Sequence, residues 1–330
     1  MTFFFEDSRK VWDASFIIIV CFSSIITLLK RLNLLLRQKK IMEIEKSLLK
    51  YPLKIQNQDE ENIQLKYKAR VKWITIFYLS CTNLSGLLFT FSAWTKSSST
   101  VTPYSTGFRY KFLNSIHFNL TVIYQILSVF IIVATGTIHD SYFCNMVMMI
   151  CAQIEMLEYR YEKLIEEIKE EKKYSTINNI KNIEKKLICF FVDNHMEILK
   201  LTNKITHIFS FVIFIQSIKS TLVICLSAFI ATQFKLWSIE FFSLLINILG
   251  QVVQISIVCL ASDELKLKFE NLQNYIYNVD WTMLHTTTKR SLIIILINLS
   301  KSFSKTLYSI KNYFANAELV IHLQMTNFFK

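Results

Sequence analysis

Few residues in this sequence have the type and setting that chemistry needs, and the sharpest of them is Lys219, an ammonium inside the apolar stretch 207–233. A charge in such a place is costly, so it faces a partner, a cavity or the membrane interface. The simplest expectation is that its long stem carries the amine to the cytoplasmic headgroups. The alternative is a site inside a helical bundle. Gln216 on the same stretch and Asn247, Gln251 and Gln254 on the next bring amides that can hydrogen-bond between facing helices. Such groups bind and orient, but none is a nucleophile beside a base. The chain has no Gly-rich phosphate loop, no His-Glu-x-x-His and no nucleophile elbow. Its 6 His (His117, His139, His195, His207, His285, His322) are dispersed, and its 7 Cys lack the spacing of zinc ligands. Boundary and packing roles are expected for both. Enzyme chemistry, a cofactor and a metal are therefore not expected.

The elements that must position these groups are helices. With 52% hydrophobic residues and only 4 Gly and 2 Pro in 330, the chain cannot supply the turns of a water-soluble sheet protein. Several apolar stretches reach the roughly 20 residues that cross a bilayer core, where backbone groups find no other partners and must bond within a helix. Six spans are expected, at 14–36, 71–94, 116–138, 207–233, 239–261 and 303–329. They divide the chain into the first three membrane helices with their loops (1–138), cytoplasmic amphipathic helices (139–206), and the last three membrane helices (207–330) with a connecting region at 262–301. The net charge of +12 is carried by loops rather than by one basic face, so it reports topology and not a nucleic-acid partner. Lys and Arg concentrate after the first, third and fifth spans, which puts those loops in the cytoplasm and both termini outside.

Within this frame the stretch 262–296, SDELKLKFENLQNYIYNVDWTMLHTTTKRSLIIIL, resembles the last intracellular region of insect odorant receptors, between their sixth and seventh membrane helices. HDSYFCNMVMMICAQIEMLEYRYEKL from His139 and NHMEILKL from Asn194 are similar to other parts of the same family, in the same order. The resemblance implies an all-α polytopic bundle in the plasma membrane of sensory neurons. It implies an odorant-tuned subunit that forms a hetero-tetramer with the odorant co-receptor around a non-selective cation pore and acts in smell. Parts of 155–201 and 262–301 would anchor neighbouring subunits, with Leu265, Tyr275, Trp281, Lys289 and Arg290 as the candidate anchor residues.

The implied ligand is a small volatile organic molecule held largely by apolar burial. Candidates by position are Leu87, Thr90, Phe91, Ile123, Tyr124, Phe242 and Leu245. The runner-up is a gustatory receptor of the same superfamily, whose last-helix signature is met only by Gln324. Against the family pattern the chain is expected to be shortened at both ends. Only Met1 to Asp13 precede the first span, where relatives have a further helix. The final pore helix, with Glu318 near its start, stops at Lys330, so poor conduction or gating is expected.

The basic pair before the apolar run 291–297 generates a test. Changing Lys289 and Arg290 together to Glu is expected to weaken assembly or to invert the local topology, because basic residues near a span end hold it inward. Co-purification with the co-receptor and accessibility of an epitope at 262–296 measure this; an unchanged complex and topology would count against it.

Overall fold

The computed structural model describes residues 2–95, 115–174, 177–234, 237–278 and 284–297; at 2–17, 89–95, 115–118, 173–174, 177–179 and 240 it describes only the backbone path. Five long helices account for most of this: α1 (Thr2–Leu48), α2 (Gln58–Thr95), α3 (Ser115–Tyr174), α4 (Ile177–Ala231) and α5 (Ile239–Asn278). A shorter helix, α6, occupies 286–297, and no strand occurs among the described residues. The all-helical expectation therefore holds. The last expected span, 303–329, and with it Glu318 and Lys330, lies outside the described residues.

The helices are much longer than a membrane is thick. At 1.5 Å per residue the 60 residues of α3 extend for about 90 Å, against a hydrocarbon core of about 30 Å. The expected end of the third span at residue 138 is therefore not a helix end. α3 passes through His139 and Asp140 without a break, and α4 likewise runs through His207 from its amphipathic half into its apolar half. The reason is compositional: between Gly136 and Gly250 the sequence has neither Gly nor Pro, so nothing interrupts the hydrogen-bond ladder. Among the described residues α1, α3, α4 and α5 are long and apolar enough to cross a membrane. The expected span 71–94 falls in α2, whose described part is not among these four.

The termini of the helices follow local chemistry. Asp59, Glu60 and Glu61 occupy the first turn of α2, where negative charge complements the exposed N–H groups. The helices that carry the expected fourth and fifth spans, α4 and α5, pack against each other. α4 ends at Ala231, Trp237 takes a left-handed backbone with φ of 76°, and the Ser238 hydroxyl accepts the Phe241 N–H at 3.2 Å to start α5.

Helix α3 is the hub, since it touches α1, α2, α4 and α5. The two ends of the bundle are built on opposite plans. In the amphipathic half the apolar side chains turn inward: Ile44, Leu53, Ile154, Leu187, Leu201 and Leu272 are fully buried in one core. Each such side chain contributes about 1.5–3 kcal/mol by leaving water. In the apolar half they turn outward. Ile18, Phe22, Ile25, Leu28 and Leu32 form an exposed stripe along α1, and Leu245, Leu249 and Val252 continue one along α5. Lipid tails are as apolar as leucine, so this half has no reason to hide its leucines and turns small and polar residues inward instead.

Polar ties fasten the amphipathic half. Arg160 on α3 makes a two-pronged ion pair with Glu60 (2.7 and 2.6 Å) and donates to the carbonyls of Pro52 (2.8 Å) and Lys54 (2.7 Å), clamping the α1–α2 loop. Glu155 receives Lys268 at 2.6 Å and the Tyr67 hydroxyl at 2.6 Å; burial and this carboxylate push the Tyr67 phenol up. Glu184 accepts the His285 N–H (3.0 Å) and the Thr288 hydroxyl (2.6 Å), holding the start of α6. Because the Arg160–Glu60 pair is buried, Arg160→Leu is expected to cost about 3–5 kcal/mol by stranding the carboxylate. Breaking the exposed Lys266–Glu270 pair with Lys266→Ala is expected to cost about 0.5 kcal/mol or less. Unfolding of the purified chain in detergent, followed by circular dichroism, measures both; equal effects would mean that Arg160 does not clamp the α1–α2 loop.

Candidate functional site

Between the inward-packed and the outward-facing halves lies a single carboxylate to which every other long helix sends a donor. Asp140 of α3 pairs with Lys30 of α1 at 2.7 Å through Oδ1, and each side chain is 2% exposed. Its Oδ2 accepts the Tyr78 hydroxyl of α2 (3.0 Å), the Gln216 amide of α4 (3.2 Å) and the Gln254 amide of α5 (2.9 Å). His139 Nδ1 lies 3.4 Å from Oδ1, and its ring meets the edge of Phe209. In lipid an unpaired charge of this kind is not tolerated, so the arrangement fixes how each helix is rotated about its own axis.

A cavity of about 150 Å3 opens beside this cluster, lined by α1, α2, α3 and α5 with Lys219 contributed by α4. Lys30, Tyr78, Lys219, Gln251 and Gln254 are among its polar lining residues, and Ile19, Val20, Ile26, Val129, Ile132 and Val133 among its apolar ones. Ser23, Thr27, Thr82, Ser85 and Thr137 lie on its walls, and hydroxyls at this level spend much of their hydrogen bonding on their own helices, as Thr27 does to the Ser23 carbonyl (2.8 Å). Such a space suits a small, mostly apolar molecule with one polar end. An apolar cavity of about 150 Å3 takes up benzene.

The walls come close to being bare backbone at three points. Gly86, Gly136 and Gly250, on α2, α3 and α5, all line the cavity. A Cβ at Gly86 would come no closer than 4.0 Å to Val133, one at Gly136 would meet nothing within 4 Å, and one at Gly250 would sit 3.4 Å from the Ser85 hydroxyl. Glycine inside a helix costs about 0.5–1 kcal/mol relative to alanine, and none of these positions needs a turn. What they provide is space.

The residues singled out in the sequence separate cleanly. Lys219 does not reach the headgroups: it is buried, with Nζ 2.8 Å from Gln251 Oε1 and 3.3 Å from Gln254 Oε1. The expected amide bridges form, with Asn247 donating to Ser227 at 3.4 Å, although Gln216 and Gln254 serve Asp140 rather than each other. His195 has a packing role, stacked 6.1 Å from Phe191. Of the ligand candidates, Leu87, Ile123, Tyr124, Phe242 and Leu245 are exposed and do not line the cavity, and the side chains of Thr90 and Phe91 lie outside the described residues. Of the anchor candidates, Leu265 belongs to the chain's own core and Tyr275 packs against it, with its ring edge-on to Tyr161. Lys289 is half-buried, Arg290 is exposed, and Trp281 lies outside the described residues. Sequence reasoning misses the Asp140–Lys30 pair because each residue sits next to a polar or basic neighbour and looks like a span boundary. The better signal is three glycines in the middle of apolar runs, with no turn for them to make.

Comparison with known proteins gives a consistent result. The family model described as 7tm Odorant receptor matches residues 12–312. The chain is 22% identical over 286 residues to the Drosophila melanogaster protein named odorant receptor 92a, a match that covers 83% of this chain and 67% of that one. Its fold is similar to that of the insect olfactory receptor OR5 from Machilis hrabei, with a TM-score of 0.69 at 12% identity, covering 94% of this chain and 78% of that one. Against the same receptor in complex with eugenol the TM-score is 0.70 at 13% identity, covering 93% and 82%.

The Asp140 cluster generates a stability test. Asp140→Leu strips the acceptor from Lys30, Tyr78, Gln216 and Gln254 at once, and is expected to cost about 3–5 kcal/mol. Adding Lys30→Met should recover part of that loss, since the stranded ammonium is then gone. Denaturant titration in detergent reads both; a double variant no better than Asp140→Leu alone would mean that the loss does not come from an unpaired charge.

Proposed function

The chain belongs to the 7tm odorant receptor family, and from that membership we propose that it is an odorant-tuned receptor subunit, not a co-receptor, whose ligand occupies the cavity beside Asp140. The observation that carries the site assignment is the convergence of all five long helices on one carboxylate next to a glycine-walled space. A ligand there touches α1, α2, α3 and α5 together, so its binding energy bears directly on how these helices sit against one another. A receptor of the same fold has been determined in complex with eugenol, which supports a small organic molecule as the ligand class.

Membership makes the chain a multi-pass membrane protein and a receptor rather than an enzyme. Beyond that, we propose that it works in the plasma membrane of sensory neurons as part of an odorant-gated, non-selective cation channel formed with the odorant co-receptor. In this reading the amphipathic halves of α3, α4 and α5 stand on the cytoplasmic side, as the Lys and Arg content of the loops requires. The exposed face at Arg290 would then meet a neighbouring subunit.

Gly86 tests the site. Gly86→Ala is expected to keep the fold and to stabilise α2 by about 0.5–1 kcal/mol, because the added methyl makes only an ordinary contact with Val133. Gly86→Leu fills the space and is expected to abolish odorant-evoked current while leaving surface expression with the co-receptor intact. Current recordings against an odorant panel measure this. A Gly86→Leu receptor with unchanged responses would move the ligand elsewhere, for instance to the outward positions Leu87, Ile123, Tyr124, Phe242 and Leu245.

A further inference from the structure

Resting on the assignment of the cavity as the odorant site, we infer that the ligand it takes is a small organic acid, bound as its carboxylate against Lys219. The charges around the cavity do not balance. Lys30 is neutralised by Asp140 at 2.7 Å, and the second oxygen of that carboxylate already accepts from Tyr78, Gln216 and Gln254. Among the described residues no Asp or Glu lines the cavity. Lys219 is thus a second buried amine whose Nζ partners are the neutral oxygens of Gln251 (2.8 Å) and Gln254 (3.3 Å). Neither amide is free to turn away, because Gln254 donates its nitrogen to Asp140 at 2.9 Å and Gln251 also accepts the Ser220 hydroxyl at 3.2 Å. An ammonium has three donors, and among the described residues two acceptors meet it in this position.

A carboxylate entering from the cavity supplies both the third acceptor and the missing negative charge. Alcohols, esters and ketones supply only the acceptor. The difference is large in a site away from water, where an uncompensated charge is disfavoured and a paired one is held strongly. The rest of the cavity then sets the shape of the acid. Its apolar lining includes Ile19, Val20, Val129 and Val133, which suit a short alkyl or aryl tail, and its volume of about 150 Å3 admits a molecule on the scale of benzene. The structure therefore favours a monobasic acid with a tail of about five or six carbons over a dicarboxylate or a long-chain fatty acid.

The experiment is direct titration of the purified full chain in lipid nanodiscs with hexanoic acid, hexan-1-ol and methyl pentanoate at neutral pH. Hexanoate is expected to bind at least about tenfold more tightly than the two neutral molecules, the factor that corresponds to one good charge interaction. Lys219→Met is expected to remove that preference, and Lys219→Arg is expected to keep it. An unchanged circular-dichroism spectrum shows that the Met variant is folded, and Lys219→Gln, which keeps a donor for Gln251, repeats the test independently. Equal affinities in the wild type, or an acid preference that survives Lys219→Met, would overturn the inference. Where hexan-1-ol binds and Gly86→Leu abolishes that binding, the cavity stands as the site even though the acid preference has failed. Where none of the three binds, or Gly86→Leu changes nothing, the site assignment falls and the acid inference falls with it.

Discussion

The rest of this structure depends on how one carboxylate is kept in a place that has no water for it. Asp140 cannot remain ionised among apolar helices unless donors surround it, and they come from α1, α2, α4 and α5. Each donor is a single residue on a long helix, so the requirement selects one rotation and one depth for that helix among the many that apolar contact alone would accept. Van der Waals packing between lipid-facing helices discriminates poorly between such arrangements. A hydrogen-bonded charge discriminates strongly, and this is the sense in which the cluster specifies the bundle.

From that point the molecule extends in two directions under different rules. Toward the amphipathic end, water is the solvent, and Ile44, Ile154, Leu187 and Leu272 close over one another as in any soluble core. Toward the apolar end, lipid is the solvent, and α1 and α5 turn their large side chains outward. α3 and α4 cross between the two regimes without a break. α3 thus joins the cavity to the residues around Glu155 and Arg160 as one continuous helix, with no Gly or Pro between Gly136 and Arg160.

The cavity is the counterpart of the cluster. Polar side chains draw the helices together at one level, and three glycines remove side-chain volume at an adjoining one, so the helices are held firmly and still line a space. Lys219 belongs to both. It approaches the cluster through Gln254 and faces the cavity with an amine that no carboxylate among the described residues reaches. Had the walls carried ordinary side chains, close packing at this level would have left no room for a ligand.

By itself the sequence determined that the chain is helical, that it crosses a membrane several times, and which family it resembles. Hydropathy over 20 residues and a shortage of Gly and Pro are local properties, and the 262–296 string can be recognised without knowing where it lies in space. It also marked Lys219, Gln251 and Gln254 as groups that need partners. Tertiary structure alone decided what those partners are. A membrane helix is apolar on every side, so the usual apolar stripe does not say which face turns inward, and Leu87, Tyr124 and Phe242 looked as fit to line a pocket as Ile19 or Val133. Asp140 and Lys30 are 110 positions apart and each sits beside other polar residues, so only their meeting across the bundle distinguishes a buried pair from two span boundaries. Rotation about the helix axis is the quantity that hydropathy leaves free, and hydrogen bonds between helices are what set it.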